Sequence, residues 1–216
     1  MVDHTEKWDN YDPKNTKWID KNTDHPCREY FINQIGGDVE SILEIGGGAL
    51  IEAKLVRGIY PDMRYAIMDV SKGFLDYCRE CNFECHEGDM VDMPFSYKEF
   101  DMTYMSSVIE HSPDVHQTLS EMARVSKGYR INMFKWNMRT GGLKSNFKEK
   151  KQCFSTAFNI DNLLNLLGYY GHWPSADVCI KDTGEIVSFG KYRMSLPDDL
   201  DYHRNGNYLS LSGEWR

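Results

Sequence analysis

Residues 41 to 48 read Ser-Ile-Leu-Glu-Ile-Gly-Gly-Gly, and residues 65 to 69 read Tyr-Ala-Ile-Met-Asp. An apolar strand breaks into glycines, a helix-length interval follows, and a second apolar strand ends in an acid. That order is how an open α/β sheet builds a nucleotide-type site. Glycines let the backbone approach a ligand where a β-carbon would clash, and the acid can accept hydrogen bonds from two ribose hydroxyls. The nicotinamide pattern Gly-x-Gly-x-x-Gly would need glycine where Ile51 stands, and a Gly-x-x-x-x-Gly-Lys-Ser/Thr phosphate loop is absent.

The chain around this feature alternates with a regular beat. Strands are expected over Ser41 to Ile45, Arg64 to Asp69, Phe83 to His86, Phe100 to Ser106 and Gly128 to Phe134. Helices are expected near Ala49 to Gly58, over Lys72 to Cys81 and Val115 to Val125, and near Ile160 to Leu167, the last stopping at Gly168. Short apolar strands separated by helices imply parallel pairing. Ala176 to Lys181 and Glu185 to Lys191 flank Asp182-Thr183-Gly184, which predicts a closing antiparallel hairpin. Upstream, Asp24-His25-Pro26 starts a helix over Pro26 to Gln34, which Gly36-Gly37 ends. Three units follow: an extension over 1–38 whose Trp8, Tyr11 and Trp18 fold back onto the body over the site, a core over 39–193, and an acidic tail over 194–216 without usable periodicity.

Composition narrows the class. With 216 residues, 41% of them hydrophobic, the chain suits one domain with a real core. No run reaches the roughly 18 apolar residues of a membrane span, and Met1 to Lys21 has no signal-peptide core, so a cytoplasmic protein is expected. Six cysteines are sparse for a disulfide scaffold and read as reduced thiols. Cys78, Cys81, Cys85 and His86 have metal-ligand chemistry, but their register argues against a metal site. The first two share a helix face, while the last two project to opposite sides of a strand. A formal charge of -8 disfavours nucleic acid. Arg139, Lys144, Lys148, Lys150 and Lys151 run against that balance, as a solvated loop or as a lid offering cations to an anionic acceptor.

In its motifs the chain resembles the class I S-adenosylmethionine-dependent methyltransferases over about Val39 to Arg193. Leu43-Glu44-Ile45-Gly46-Gly47-Gly48 is similar to the family's acid-x-Gly-x-Gly-x-Gly loop, and Met68-Asp69-Val70-Ser71 to its ribose-binding acid. Glu87-Gly88-Asp89-Met90 with Met93-Pro94-Phe95 looks like the Gly-Asp element that closes on adenine. Phe100-Asp101 through Ser106-Ser107-Val108-Ile109-Glu110-His111 resembles the fourth strand and its methyl-site loop. The resemblance implies a Rossmann-like three-layer αβα sandwich with a mostly parallel seven-stranded sheet and an antiparallel C-terminal hairpin strand. One departure is Leu50, which stands where the family often has its third glycine and whose side chain either crowds the loop or enters helix packing.

On this reading the cofactor is S-adenosyl-L-methionine. Gly46, Gly47 and Gly48 admit its methionine end, and Glu44 orients the loop or the ammonium. Asp69 and Val70 take the ribose, Asp89 and Met90 read adenine, and Ser106 to His111 floor the methyl site. His111 is the candidate base for an oxygen acceptor, because an imidazole titrates in the useful range; a loop histidine bonded to backbone is the plainer alternative. Glu110 is expected to cap the following helix or face solvent. No Asn/Asp-Pro-Pro-aromatic or Pro-Cys motif follows the fourth strand, which leaves an oxygen or nitrogen of a small-molecule or sugar-like acceptor. Two alternatives stay open: an inactive methyltransferase-like interaction module, and an RNA methyltransferase clamping with its lysines.

Overall fold

A computed structural model describes residues 6–10, 12–14, 26–133, 136–137, 146–148, 153–155, 158–172, 174–180, 183, 185–188 and 208–216. The central strands are β1 (Ser41–Ile45), β2 (Arg64–Asp69), β3 (Glu84–Glu87), β4 (Phe100–Ser106) and β5 (Ser126–Met133). They pair in parallel in the order β3-β2-β1-β4-β5. Most residues of β1 and β2 are buried on both sides, which is what helices covering both faces of a parallel sheet require. The chain leaves β1 toward β2 and β3 and later returns to β4 on the other flank, so the carboxyl ends of β1 and β4 border the switch point where such sheets bind ligands.

Helices α1 (Glu6–Asp9), α2 (Pro26–Asn33), α3 (Ile51–Ile59), α4 (Lys72–Glu80), α5 (Val115–Val125) and α6 (Ile160–Tyr170) complete the framework. On one face, α5 buries Val115, Leu119, Met122 and Val125, spaced three or four apart, against Leu43, Ile45, Met105 and Ile131 of the sheet. Each such side chain contributes about 1.5–3 kcal/mol of burial. The helix starts at Asp114, whose carboxylate accepts from Gln117 N at 3.1 Å. On the opposite face, Phe31, Ile32 and Ile35, in and just after α2, pack with Ala53 and Val56 of α3 over Ile42, Tyr65, Ile67 and Tyr104.

Several expectations are corrected. After β5 come four short strands outside the large sheet, β6 (Trp136–Asn137) paired with β9 (Phe158–Asn159) and β7 (Asn146–Lys148) with β8 (Cys153–Ser155). Among the described residues the large sheet has eight strands rather than seven, because Tyr208–Glu214 forms β12 between β5 and β10 (Ser175–Cys179), antiparallel to both. The stretch 194–216 is thus not merely a tail, and a core ending at 193 would omit a strand of the sheet. The signal was there in Leu209-Ser210-Leu211-Ser212, a period-two alternation with both leucines buried. The hairpin exists as β10 with β11 (Ile186–Ser188), β11 lying at the edge. Helix α6 runs through Gly168 to Gly171, where an added β-carbon would stand 2.4 Å from Glu214 O. Close approach of β12 sets the stop there.

Not all cysteines are reduced: Cys78 and Cys85 form a disulfide across Cα atoms 6.3 Å apart. The turn after α4, with Asn82 at φ 56°, brings β3 back beside the helix face that carries Cys78. Cys81, Cys153 and Cys179 are free. Among the described residues no cluster fit to hold a metal occurs, and no helix is long and apolar enough to cross a membrane.

A buried ion pair sits between α2 and α3, where the Arg28 guanidinium donates to Glu52 Oε1 with both side chains almost wholly enclosed. Tyr104 OH donates to the same oxygen at 3.1 Å. Removing one member of such a pair strands the other, at a cost of about 3–5 kcal/mol. Arg28→Met is therefore expected to lose that much stability in urea unfolding, with the Arg28→Met/Glu52→Leu double variant recovering most of it.

Candidate functional site

The loop after β1 is held by its neighbours. Gly46 N donates to Met68 O at 2.7 Å, and Gly46 has φ 70°. A β-carbon there would meet Val108 methyl carbons at 2.7 and 2.8 Å, so the segment after β4 lies directly on the glycine. At Gly47 a β-carbon would meet Ile67 Cγ2 at 2.6 Å. The backbone thus sinks between two side chains, leaving its outer side for a ligand. Leu50 adopts φ 62° and ψ 32° just before α3 and is fully buried among the residues under α2 and α3. Its side chain enters helix packing and leaves the loop uncrowded, at the cost of a left-handed conformation that a glycine would take freely.

Glu44 lies under this loop, 2% exposed, and accepts from Tyr65 OH at 3.0 Å. Burial, with the Glu52 charge nearby, pushes its carboxyl well above the usual carboxylate range. Asp69, at the end of β2, accepts from Ser71 N at 2.9 Å through Oδ1 and from Gly48 N at 3.3 Å through Oδ2. Burial raises its pKa from 3.8 to about 6, with the backbone donors at Ser71, Gly48 and Val70 opposing the rise. Val70 is half-buried beside it. Beyond β3, Asp89 Oδ1 accepts from Val91 N at 3.2 Å, and Asp89 and Met90 are half-buried.

Ser106 ends β4, and its Oγ is 3.0 Å from Tyr208 OH of β12. His111 closes the 3-10 turn Ile109–His111, its Nδ1 3.0 Å from Phe154 O of β8 (Cys153–Ser155). A carbonyl only accepts, so Nδ1 carries the proton in this contact and the neutral ring keeps its lone pair at Nε2. Glu110 neither caps α5, which Asp114 does, nor faces solvent, being 2% exposed.

All ten residues expected at the site therefore gather along the carboxyl edge of β1 to β4, with Glu44 beneath the others. Trp8 joins them, as the extension over the site implied, while Tyr11 and Trp18 lie outside the described residues; several other groups that the sequence reading left unassigned join as well. Trp8 stands edge-on to His111 with ring centroids 4.9 Å apart, its carbonyl accepts from Ser71 Oγ at 3.2 Å, and Asp9 Oδ1 accepts from Lys72 N at 2.8 Å. Lys7 Nζ reaches Cys153 Sγ at 3.1 Å. Helix α1 thereby spans from the end of β2 to the segment after β4. On β5, Arg130 and Asn132 project toward α2, and Asn132 Nδ2 donates to Tyr104 OH at 2.9 Å. Polar residues at alternate positions of a central strand were the signal for these two. Arg139, Lys144, Lys150 and Lys151 lie outside the described residues, and Lys148 belongs to β7 (Asn146–Lys148).

Known proteins share this fold. Residues 43–129 match the family model described as a methyltransferase domain. The sequence matches no curated protein. A Thermotoga maritima S-adenosylmethionine-dependent methyltransferase has a TM-score of 0.69 at 13% identity, covering 99% of this chain and 100% of that one. The Burkholderia thailandensis 1,6-didemethyltoxoflavin-N1-methyltransferase, solved with its substrate and S-adenosylhomocysteine, has a TM-score of 0.66 at 13% identity over 99% and 87%. The Streptomyces coelicolor geranyl diphosphate C-methyltransferase, solved with magnesium, geranyl diphosphate and S-adenosylhomocysteine, has a TM-score of 0.60 at 14% identity over 88% and 80%. The chain carries the Rossmann-like αβα fold of the class I S-adenosylmethionine-dependent methyltransferases.

Asp69 supplies a pH test. A carboxyl raised in the folded state favours folding below its unfolded pKa, and that advantage is lost as pH rises from about 4 to about 6. Relative to Asp69→Asn, wild-type stability should fall by roughly 3 kcal/mol over this window and then level off. Urea unfolding of both proteins across pH measures it.

Proposed function

We propose that this methyltransferase domain transfers the methyl group of S-adenosyl-L-methionine to an oxygen or nitrogen of a small-molecule acceptor. The observation that carries the reading is Asp69. It is a buried carboxylate at the end of β2, fixed by the Ser71 and Gly48 amides beside a loop in which a β-carbon at Gly46 or Gly47 would clash. Charge-assisted hydrogen bonds from two vicinal hydroxyls would stabilise its ionised form against the burial that raises its pKa. The residues present thus fit the cofactor: Gly46 to Gly48 for the methionine end, Asp69 and Val70 for the ribose, Asp89 and Met90 for adenine. Glu44 positions the loop from below.

The cofactor supplies an electrophilic methyl on a sulfonium, and the protein's task is alignment and exclusion of water. Holding donor and acceptor in line can supply roughly 7–11 kcal/mol of the barrier. Val108 packed on Gly46 fixes the segment after β4 against the donor loop, and Ser106 is tied to Tyr208 at the acceptor side. Trp8 covers His111 and, through Ser71, the ribose end, which supports a site closed by the N-terminal segment. For an oxygen acceptor, His111 takes the proton at Nε2 while Nδ1 stays donated to Phe154 O.

The burial of Leu50 removes the crowding that would have favoured an inactive interaction module. Titration calorimetry with S-adenosylhomocysteine tests the cofactor assignment: wild type should bind in the micromolar range, and Asp69→Ala should weaken binding at least tenfold while remaining folded. An absence of heat at millimolar ligand would refute it. With labelled S-adenosylmethionine and a cell metabolite extract, mass spectrometry should reveal a methylated small molecule. His111→Ala should lower that turnover about 10²-fold with cofactor affinity unchanged. Label found in structured RNA instead would replace the acceptor class.

A further inference from the structure

We infer that Arg130 is an acceptor-binding residue, and that the acceptor carries a carboxylate which its guanidinium receives; the inference rests on the methyltransferase reading above. Two arginines are buried on the same face of the sheet. Arg28 is neutralised by Glu52. Arg130, 6% exposed, makes one hydrogen bond to the described residues, Nη1 donating to Ser210 Oγ at 3.0 Å, with the Phe31 ring centroid 5.8 Å from its guanidinium carbon. Among the described residues no carboxylate comes within ion-pair distance of it. Asp177 acts on it only from farther away, and Tyr30 hydrogen-bonds that carboxylate.

A cation in this setting is costly unless paired, and the planar guanidinium presents donors in a fork suited to a carboxylate. Its place in the fold fits an acceptor. Arg130 lies one strand beyond β4, on the side away from the cofactor loop, paired in register with Tyr104 and two residues before Asn132, the partner of Ser106. Asn132, 1% exposed, keeps its Oδ1 without a hydrogen-bond partner, an acceptor suited to a hydroxyl or amino group beside the carboxylate and not to the carboxylate itself. Phe31 and Tyr104, fully buried and stacked on each other at 3.9 Å, hold the strand and helix beside the guanidinium in place. The single cation with Asp177 nearby suits a monoanion and disfavours a dianionic phosphate.

The test uses the full chain, labelled with nitrogen-15 at arginine and saturated with S-adenosylhomocysteine, titrated with benzoate, benzamide and phenyl phosphate. The Arg130 Nε–Hε resonance, assigned by its loss in Arg130→Lys, should move saturably with benzoate and not with benzamide. Phenyl phosphate should bind more weakly than benzoate. Thermal unfolding provides a second measure: benzoate should raise the midpoint of wild type, and Arg130→Gln should weaken that effect at least tenfold in ligand concentration. An unmoved resonance, equal shifts by acid and amide, tighter phenyl phosphate binding, or a benzoate effect that survives Arg130→Gln would overturn the inference. Should neither variant fold, the acid-versus-amide contrast in wild-type melting decides. S-adenosylhomocysteine is also titrated alone, so a failure of the cofactor reading is seen separately from a failure at Arg130.

Discussion

The contact between Arg28 and Glu52 is the constraint on which the ligand-binding edge depends. Helix α2 carries the guanidinium, and α3, whose first turn is the exit from the glycine loop, carries the carboxylate. Tyr104 of β4 binds the same carboxylate oxygen and is bound in turn by Asn132 of β5. One buried ion pair therefore couples an N-terminal helix, the helix that follows the glycine loop, and strands β4 and β5. Glu44 shares the same enclosed field and reaches Tyr65. Such networks rigidify as their members are satisfied, and here Asn132 Oδ1 still lacks a partner.

The two faces of the sheet are built from different materials. Under α5 and α6 the core is almost wholly apolar, from Leu43 and Ile45 to Ile131 and Leu211. Under α2 and α3, aliphatic residues share the space with Glu44, Tyr65, Tyr104, Arg130 and Asn132. Apolar packing sets the stability of the scaffold, and the other face holds the buried polar network. The division follows from strand alternation, since Tyr129, Ile131 and Met133 point one way and Arg130 and Asn132 the other.

Much of this could be read in the sequence, for local reasons. Ser41 to Ile45, Arg64 to Asp69, Phe100 to Ser106 and Val115 to Val125 announce themselves through apolar periodicity and caps, and the structure reproduces those bounds. The gathering of Glu44, Asp69, Asp89, Ser106 and His111 followed because a parallel sheet brings all carboxyl ends to one edge. What escaped was non-local. Tyr208 reaches Ser106 across 102 positions and Arg130 reaches Ser210 across 80, and no nearby spacing encodes either contact. The Cys78–Cys85 link escaped for a different reason: it depends on how sharply the chain turns at Asn82, a detail of one dihedral angle rather than of pattern.

Trp8 carries a practical consequence. Because its ring abuts His111 and its carbonyl accepts from Ser71, the first described turn walls off the residues proposed for the site from one side. Replacing Trp8 by a small residue would strip that ring from His111 while leaving the carbonyl on Ser71. Kinetic comparisons between such variants would then report on an altered wall as much as on altered substrates.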